Sequence, residues 1–159
     1  MLKDYQIQLL ELLEQLEMEI SNLYKLFAEK FPGRQELWNH LHAEEAKHAL
    51  YINRLKSLAQ EGKVLFDEKM TKTYTVKSVL NDIKDKYEKT RCNQYTAMNA
   101  LSFSLSLEQS IIEHKFYDYF SSSDAESMRM IKTIKEETSS HEAGVKKALE
   151  EEKKRTTVR

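Results

Sequence analysis

The sequence predicts an all-α fold, and three observations support this fold class. Glu, Lys, Leu, Met and Ala, which favour helices, are abundant among the 159 residues. Only three Gly and one Pro occur, so long uninterrupted helices are expected. Apolar residues also recur at the spacing of one helix face through most of the chain.

Two long helices account for the first part of the chain. The first helical pattern extends over about residues 3–31 and stops at Phe31-Pro32-Gly33, because Pro and Gly end helices. The second extends over about residues 34–61 and stops before Gly62. The link between them is short, and a short link makes two helices antiparallel neighbours.

Two further long helices are predicted after a longer connection. Residues 63–75 have no clear period, and residues 76–90 carry apolar residues at the spacing of a short amphipathic helix. The third long helix is predicted over residues 92–120 and the fourth over residues 124–154. Ser123 and Glu126 have the spacing of a capping box at the start of the fourth.

The connections predict the topology. Two short links and one long crossover, which contains the short helix between helices 2 and 3, are typical of the ferritin-like form of the antiparallel four-helix bundle. No linker or internal repeat divides the chain, so we expect a single ferritin-like domain over residues 1–159.

Charge and cysteine content exclude several functional classes. The chain has 25 Lys+Arg and 26 Asp+Glu, so no basic surface for nucleic acid is predicted. The single cysteine, Cys92, allows neither an internal disulfide nor a Cys-x-x-Cys metal module. No apolar run approaches the roughly 18 residues of a membrane span, and the N-terminus is too acidic for a signal peptide. We therefore expect a cytoplasmic protein that binds neither nucleic acid nor membranes.

Each predicted long helix carries a polar interruption near the middle of its apolar face. Because the middles of antiparallel helices lie at one height, these side chains are expected to meet in one layer of the core. Buried carboxylates are costly unless they are protonated or bind cations, so this layer indicates a site for divalent metal ions. The interruptions are Glu17 on the first helix, Glu45 and His48 on the second, Glu108 on the third, and Thr138 and His141 on the fourth.

Glu45 and His48 have a spacing that suits metal binding. Residues three apart lie on the same face of a helix, about 5–6 Å apart at Cβ. A Glu-x-x-His pair can therefore present a carboxylate to one metal ion while the imidazole binds the same ion or its neighbour. In di-iron carboxylate bundles, two helices carry such pairs and the other two each supply a Glu.

Four segments, taken in order, resemble the rubrerythrin branch of the ferritin-like superfamily: EMEISNLYKLFAEKF, EEAKHA, SLEQSIIEHKFYDYF and EETSSHEAGVKKAL. The resemblance covers nearly the whole chain. It implies a four-helix bundle with a dinuclear non-haem iron site, used to reduce peroxide, handle oxygen or oxidise ferrous iron. It also implies five metal ligands, namely Glu17, Glu45, His48, Glu108 and His141.

Two positions depart from the family pattern. The fourth helix should present a Glu three residues before its His, but Thr138 stands there, and Glu137 lies one position away. We expect Thr138 to support a ligand or bond its own helix backbone, and Glu137 to be a surface residue or a weak ligand. Ile111 occupies the place of a second third-helix Glu. No rubredoxin module is present, so electrons would come from a separate rubredoxin-like protein.

The remaining conspicuous residues have less specific interpretations. Tyr24 is expected to lie in the core with its hydroxyl bonded, with support of a metal ligand as the alternative. Trp38, His40, His42 and His114 form no constellation and are interpreted as surface or interface residues. Family resemblance and the aromatics in YINRL and KFYDYF, interpreted as outward-facing, predict a homodimer.

Three functions are compatible with these patterns. The first is an oxidoreductase of the peroxidase or ferroxidase type with a dinuclear iron centre. The second is a protein that holds one ion of iron, zinc or manganese without turnover, motivated by the carboxylate missing at Thr138. The third is a helical interaction scaffold that has lost its metal. The metal content of the purified protein separates them.

Overall fold

The computed structural model describes residues 1–67, 73–113 and 116–158, and the all-α prediction is confirmed. A single 3₁₀ turn within this part of the chain, Pro32–Arg34, separates the first two helices. Two short strands are also present, β1 at Leu65–Phe66 and β2 at Phe120–Ser121. The five helices among the described residues are α1 (Asp4–Lys30), α2 (Gln35–Gln60), α3 (Thr73–Arg91), α4 (Ala97–Glu113) and α5 (Ala125–Thr157).

The first two helices form the most extensive helix pair. Helix α1 ends where the Phe31 N–H bonds the Phe27 carbonyl at 2.8 Å, and Pro32 then begins the 3₁₀ turn. One face of α1 is buried from Leu9 to Ala28, and α1 packs against both α2 and α3. Helix α5 packs against α4 and α2. These contacts put the apolar faces of α1, α2, α4 and α5 in one core.

The third long helix is shorter than predicted at both ends. Asn93 has a φ of 57°, which ends the preceding helix, and the Thr96 and Asn99 side chains cap α4 by accepting each other's backbone N–H. At the other end α4 stops at Glu113, because the aromatic segment beyond it turns back. There β2 pairs antiparallel with β1, and the Phe66 and Phe120 rings lie 5.2 Å apart.

The predicted capping box of the last helix is wrong by one residue. Asp124, not Ser123, is the N-cap residue of α5, and its carboxylate accepts the Ser127 backbone N–H at 3.0 Å. A carboxylate also suits the positive end of the helix dipole. Helix α5 begins at Ala125 and continues to Thr157, slightly beyond the predicted end.

Several aromatic residues predicted to face outward are buried. Phe116, Tyr117 and Tyr119 are at most 4% exposed, so the KFYDYF segment does not offer the outward aromatic face on which part of the homodimer prediction rested. Trp38 is 1% exposed and packs on Phe27 with ring centroids 5.0 Å apart, which corrects its interpretation as a surface residue. His114 and Lys115 lie outside the described residues, as do residues 68–72 of the predicted connection.

No helix in the described part of the chain combines the length and the apolar character that crossing a bilayer requires.

Candidate metal centre

The five predicted ligands are all buried, and they lie together in the core. Each is at most 2% exposed, although carboxylates and imidazoles are rarely removed from water so completely. They form two groups of three within which the donor atoms lie within 4.8 Å of one another, and each group can hold a metal ion. The groups are Glu17, Glu45 and His48, and Glu45, Glu108 and His141.

The first group joins α1 to α2. His48 directs Nδ1 at the carboxylates, 3.2 Å from Glu45 Oε2 and 4.0 Å from Glu17 Oε2. Glu45 and His48 reach the same point because they are three residues apart on α2. Glu17 meets them because it lies on the α1 face that packs against α2.

The second group joins α2, α4 and α5. His141 directs Nδ1 at Glu45 Oε1, at 2.8 Å, and at Glu108 Oε1, at 3.8 Å. The two imidazole rings stack with their centroids 5.6 Å apart. Glu45 thus offers one oxygen to each histidine and is the residue that the two groups share.

These distances suit shared metal ions. Metal–ligand bonds of about 2.1 Å place neighbouring donors of one ion roughly 3 Å apart and opposite donors about 4.2 Å apart. The measured separations of 2.8 to 4.0 Å between the histidine nitrogens and the carboxylate oxygens lie in that interval. The donor set of carboxylate oxygens and imidazole nitrogens suits iron, manganese or zinc.

Two carboxylate oxygens of the cluster are left without a hydrogen bond. Glu17 Oε2 and Glu108 Oε2 are buried and have no hydrogen-bond partner among the described residues. An unsatisfied buried acceptor is expensive, and in a native structure it calls for an ion, a water or another missing partner. One such oxygen belongs to each group, so the chemistry of the site fits one cation in each.

The pKa values of the cluster are strongly shifted. Burial, with the charge of Glu45, raises the pKa of Glu17 well above its ordinary value and that of Glu108 to about 8. Burial also opposes ionisation of Glu45, but hydrogen bonds with Glu17, His141 and His48 hold its pKa below its usual range. Burial lowers the pKa of His141, but the hydrogen bond and charge of Glu45 raise it to about 9. Without metal, Glu108 therefore holds its proton at neutral pH, and burial disfavours ionisation of Glu17 as well.

Two glutamates at the edge of the cluster each contact the histidine on the opposite helix. Glu137 Oε2 on α5 lies 2.7 Å from Nε2 of His48 on α2. In the opposite sense, Glu44 Oε2 on α2 lies 2.6 Å from Nε2 of His141 on α5. Lys47 Nζ holds the other oxygen of Glu137 at 2.6 Å. Each histidine thus keeps Nδ1 for the cluster while Nε2 faces a carboxylate, the arrangement common around metal-bound histidines.

Sequence reasoning missed Glu44 and treated Glu137 as a surface residue or weak ligand. The signal was present: each histidine is preceded four residues earlier by a Glu, in EEAKH and in ETSSH. That spacing puts the Glu on the same helix face as the histidine, but the two pairs cross between α2 and α5. Glu137 is partly buried, with 21% of its side chain exposed, and its contact is His48.

Tyr24 and Thr138 complete the surroundings. The Tyr24 hydroxyl donates to Glu108 Oε1 at 2.5 Å, as expected for a core tyrosine with its hydroxyl bonded. Burial and the charges of Glu108 and Glu45 raise the Tyr24 pKa, so the hydroxyl keeps its proton. Thr138 is buried, and its hydroxyl donates to the Ile134 carbonyl at 2.7 Å, a bond to its own helix.

No family model, curated protein or solved structure matched this chain. The rubrerythrin resemblance therefore stays a prediction from the sequence, and the fold and the metal groups stand on the geometry.

The metal-free protein is expected to lose stability as pH rises from about 4.5 to about 9. Glu108 and His141 have pKa values of about 8 and about 9 in the folded chain, above their ordinary 4.5 and 6.5. The folded state therefore holds protons that the unfolded state releases, and their stabilisation is lost as pH rises through these values. A decrease of several degrees in the melting temperature of chelator-treated protein is expected, since about 1 kcal/mol shifts it by roughly 2–4 °C.

The control for this experiment is Glu108→Gln, which cannot ionise and should flatten the pH dependence. Added divalent metal should reverse the trend, because it replaces the protons and binds better as pH rises. A metal-free protein whose melting temperature stays level or rises across this interval would contradict the interpretation.

Proposed function

We propose that this chain is a ferritin-like, rubrerythrin-like protein with a dinuclear non-haem iron centre, and that it is an oxidoreductase handling peroxide or oxygen, or oxidising ferrous iron. The observation that carries the proposal is the pair of buried donor groups that share Glu45. Two adjacent groups, each with its own Glu and its own His, are what two neighbouring cations need. A structural core gains nothing from burying three carboxylates side by side.

The ferritin-like four-helix arrangement is part of the proposal. Helices α1, α2, α4 and α5 each supply at least one residue of the cluster, while α3 lies in the connection between α2 and α4. Such a distribution matches a bundle whose ligands project inward from facing helices. The proposed domain comprises the whole chain.

The carboxylate missing at Thr138 is not needed to complete either donor group. Thr138 bonds the backbone of its own helix, and Glu137 is turned toward His48. Even so, the first group keeps Glu17 and His48, and the second keeps Glu108 and His141. Each group thus has its own Glu and its own His, and the two groups share Glu45. This favours two ions over the one-ion alternative.

The residues around the cluster have definable tasks. When bound, iron would supply the electrons for reduction of the oxidant. Glu44 and Glu137 each hold one imidazole with Nδ1 directed at the cluster, where it could bind a cation, and Tyr24 fixes one oxygen of Glu108. Buried Ile111 leaves α4 with Glu108 as its one cluster carboxylate, so the centre has fewer acids than a rubrerythrin. A separate rubredoxin-like electron donor, a homodimer and a cytoplasmic location stay predictions.

A scaffold without metal is the second candidate. The shifted pKa values of the cluster are compatible with it. With Glu108 protonated and His141 positively charged at neutral pH, the charge of Glu45 has a partner without any cation, and burial disfavours a charge on Glu17. The two unpartnered oxygens weigh against this candidate. Metal binding decides between them.

Anaerobic equilibrium dialysis against ferrous iron should give about two ions per chain. Glu45→Gln should lose most of the bound iron, because both groups depend on that residue. Glu36→Gln, an exposed position on the same helix, should bind iron as the wild type does. On admission of oxygen or peroxide, the loaded protein should develop the near-ultraviolet absorption of ferric carboxylate centres.

A content below one iron per chain, with no such absorption, would rule out the oxidoreductase and leave the scaffold. A content of one, unchanged in Thr138→Glu, would exclude the dinuclear centre in favour of a one-ion protein.

Replacing the crossed glutamates should weaken metal binding without unfolding the chain. Glu137→Gln and Glu44→Gln are each expected to reduce iron affinity about 10- to 100-fold, because the neutral amide no longer orients the imidazole or increases its basicity. Glu136→Gln, on an exposed neighbour of Glu137, is the matched control. Anaerobic isothermal titration with ferrous iron gives the affinities. Unchanged affinity in both variants would show that the two contacts do not act on the metal.

A further inference from the structure

A cleft of about 290 Å³ lies beside the cluster, between α4, α5 and the segment that starts at Phe116. Its apolar wall is formed by Ile111, Ile112 and Phe116. Lys135 and Asp118 also line it, and both side chains are about half exposed. The metal-centre residues are not themselves part of this wall.

The inner side of the cleft lies one helical turn from the second donor group. Ile111 follows Glu108 by three residues on α4, and Thr138 precedes His141 by three residues on α5. Residues three apart share a helix face, so the cleft and the metal group are neighbours on both helices. Ile111 and Thr138 are at most 4% exposed, whereas Ser139 beside Thr138 is exposed and marks the outer side.

The polar groups of the cleft indicate the type of molecule that fits. Lys135 and Asp118 form an ion pair at 2.5 Å and so neutralise each other, and the other described lining residues carry no charge that would attract an ionic ligand. Tyr117 lines the cleft and is 4% exposed, and its hydroxyl has no hydrogen-bond partner among the described residues. A buried hydroxyl without a partner is costly, so a ligand that supplies one gains affinity.

We propose that this cleft binds a small, uncharged, mainly apolar organic molecule that carries one hydroxyl or carbonyl group, next to the Glu45–Glu108–His141 group. The polar group of the ligand pairs with the Tyr117 hydroxyl, and its apolar body packs on Ile111, Ile112 and Phe116. A cavity of about 150 Å³ already accepts benzene, so this cleft has room for a two-ring compound. Binding requires no metal, but the role of the molecule as a substrate of the centre rests on the proposed function.

The test uses 1-naphthol as the probe and the metal-free full-length protein. Isothermal titration and ¹H–¹⁵N chemical shifts should show saturable binding of one molecule per chain, with shifts around Ile112 and Thr138. Naphthalene-1-sulfonate, which has the same rings but a charge, should bind at least about tenfold more weakly. Tyr117→Phe should reduce the preference for 1-naphthol over naphthalene about threefold to tenfold.

Two variants fill the cleft without changing its most buried wall. Ile112→Trp and Ser139→Trp replace exposed lining residues, and each should weaken 1-naphthol binding at least about tenfold. Leu50→Trp, at an exposed apolar residue of α2 that does not line the cleft, is the matched control and should bind normally.

The outcomes separate this inference from the proposed function. Saturable binding of 1-naphthol that both cleft variants weaken supports the cleft as its binding site, whether or not the protein holds iron. No binding, equal binding of the sulfonate, or binding that neither variant weakens overturns it, even if two irons are bound. In manganese-loaded protein, strong relaxation of the 1-naphthol protons would support its place beside the metal group, and its absence would overturn that place.

Discussion

The desolvation of three carboxylates is the constraint on which the rest of this structure depends. Glu17, Glu45 and Glu108 are each at most 1% exposed, and Glu45 lies between the other two. Burial and the charge of Glu45 raise the pKa of both flanking acids, so ionisation of Glu17 and Glu108 is disfavoured when no cation is bound. Each ionised acid must gain a partner, and the two histidines can supply only part of that compensation.

The surrounding helices position the residues of this cluster. The Glu-x-x-His pair on α2 places Glu45 between the two histidines, and the pairing of α2 with α5 brings His141 to it. Two crossed contacts, Glu44 with His141 and Glu137 with His48, join these two helices at the edge of the cluster. Both glutamates are partly exposed there, so ionising their carboxylates costs less than in the core. Tyr24 connects α1 to Glu108 in the same layer.

The convergence of the five buried side chains was predictable from the sequence because each residue interrupts an apolar face near the middle of its helix. The crossed glutamates were not, since their pairing depends on how α2 and α5 are rotated about their axes, which periodicity within one helix does not specify. The end of α4 was also missed: KFYDYF is as apolar as a helix face, and its turn depends on β1, over 50 residues earlier in the chain. Ser123 and Asp124 are both residue types that favour the N-cap of a helix. Which of them caps α5 depends on the backbone conformation, and Asp124 does so.

Anomalous diffraction at the iron edge, from crystals grown anaerobically with ferrous iron, tests the central claim most directly. Two iron peaks are expected in the core, one among Glu17, Glu45 and His48 and the other among Glu45, Glu108 and His141. A single peak would contradict the shared-bridge centre. A map without iron in this layer, with the three carboxylates hydrogen-bonded among themselves or turned to solvent, would contradict the claim that cations make their burial tolerable.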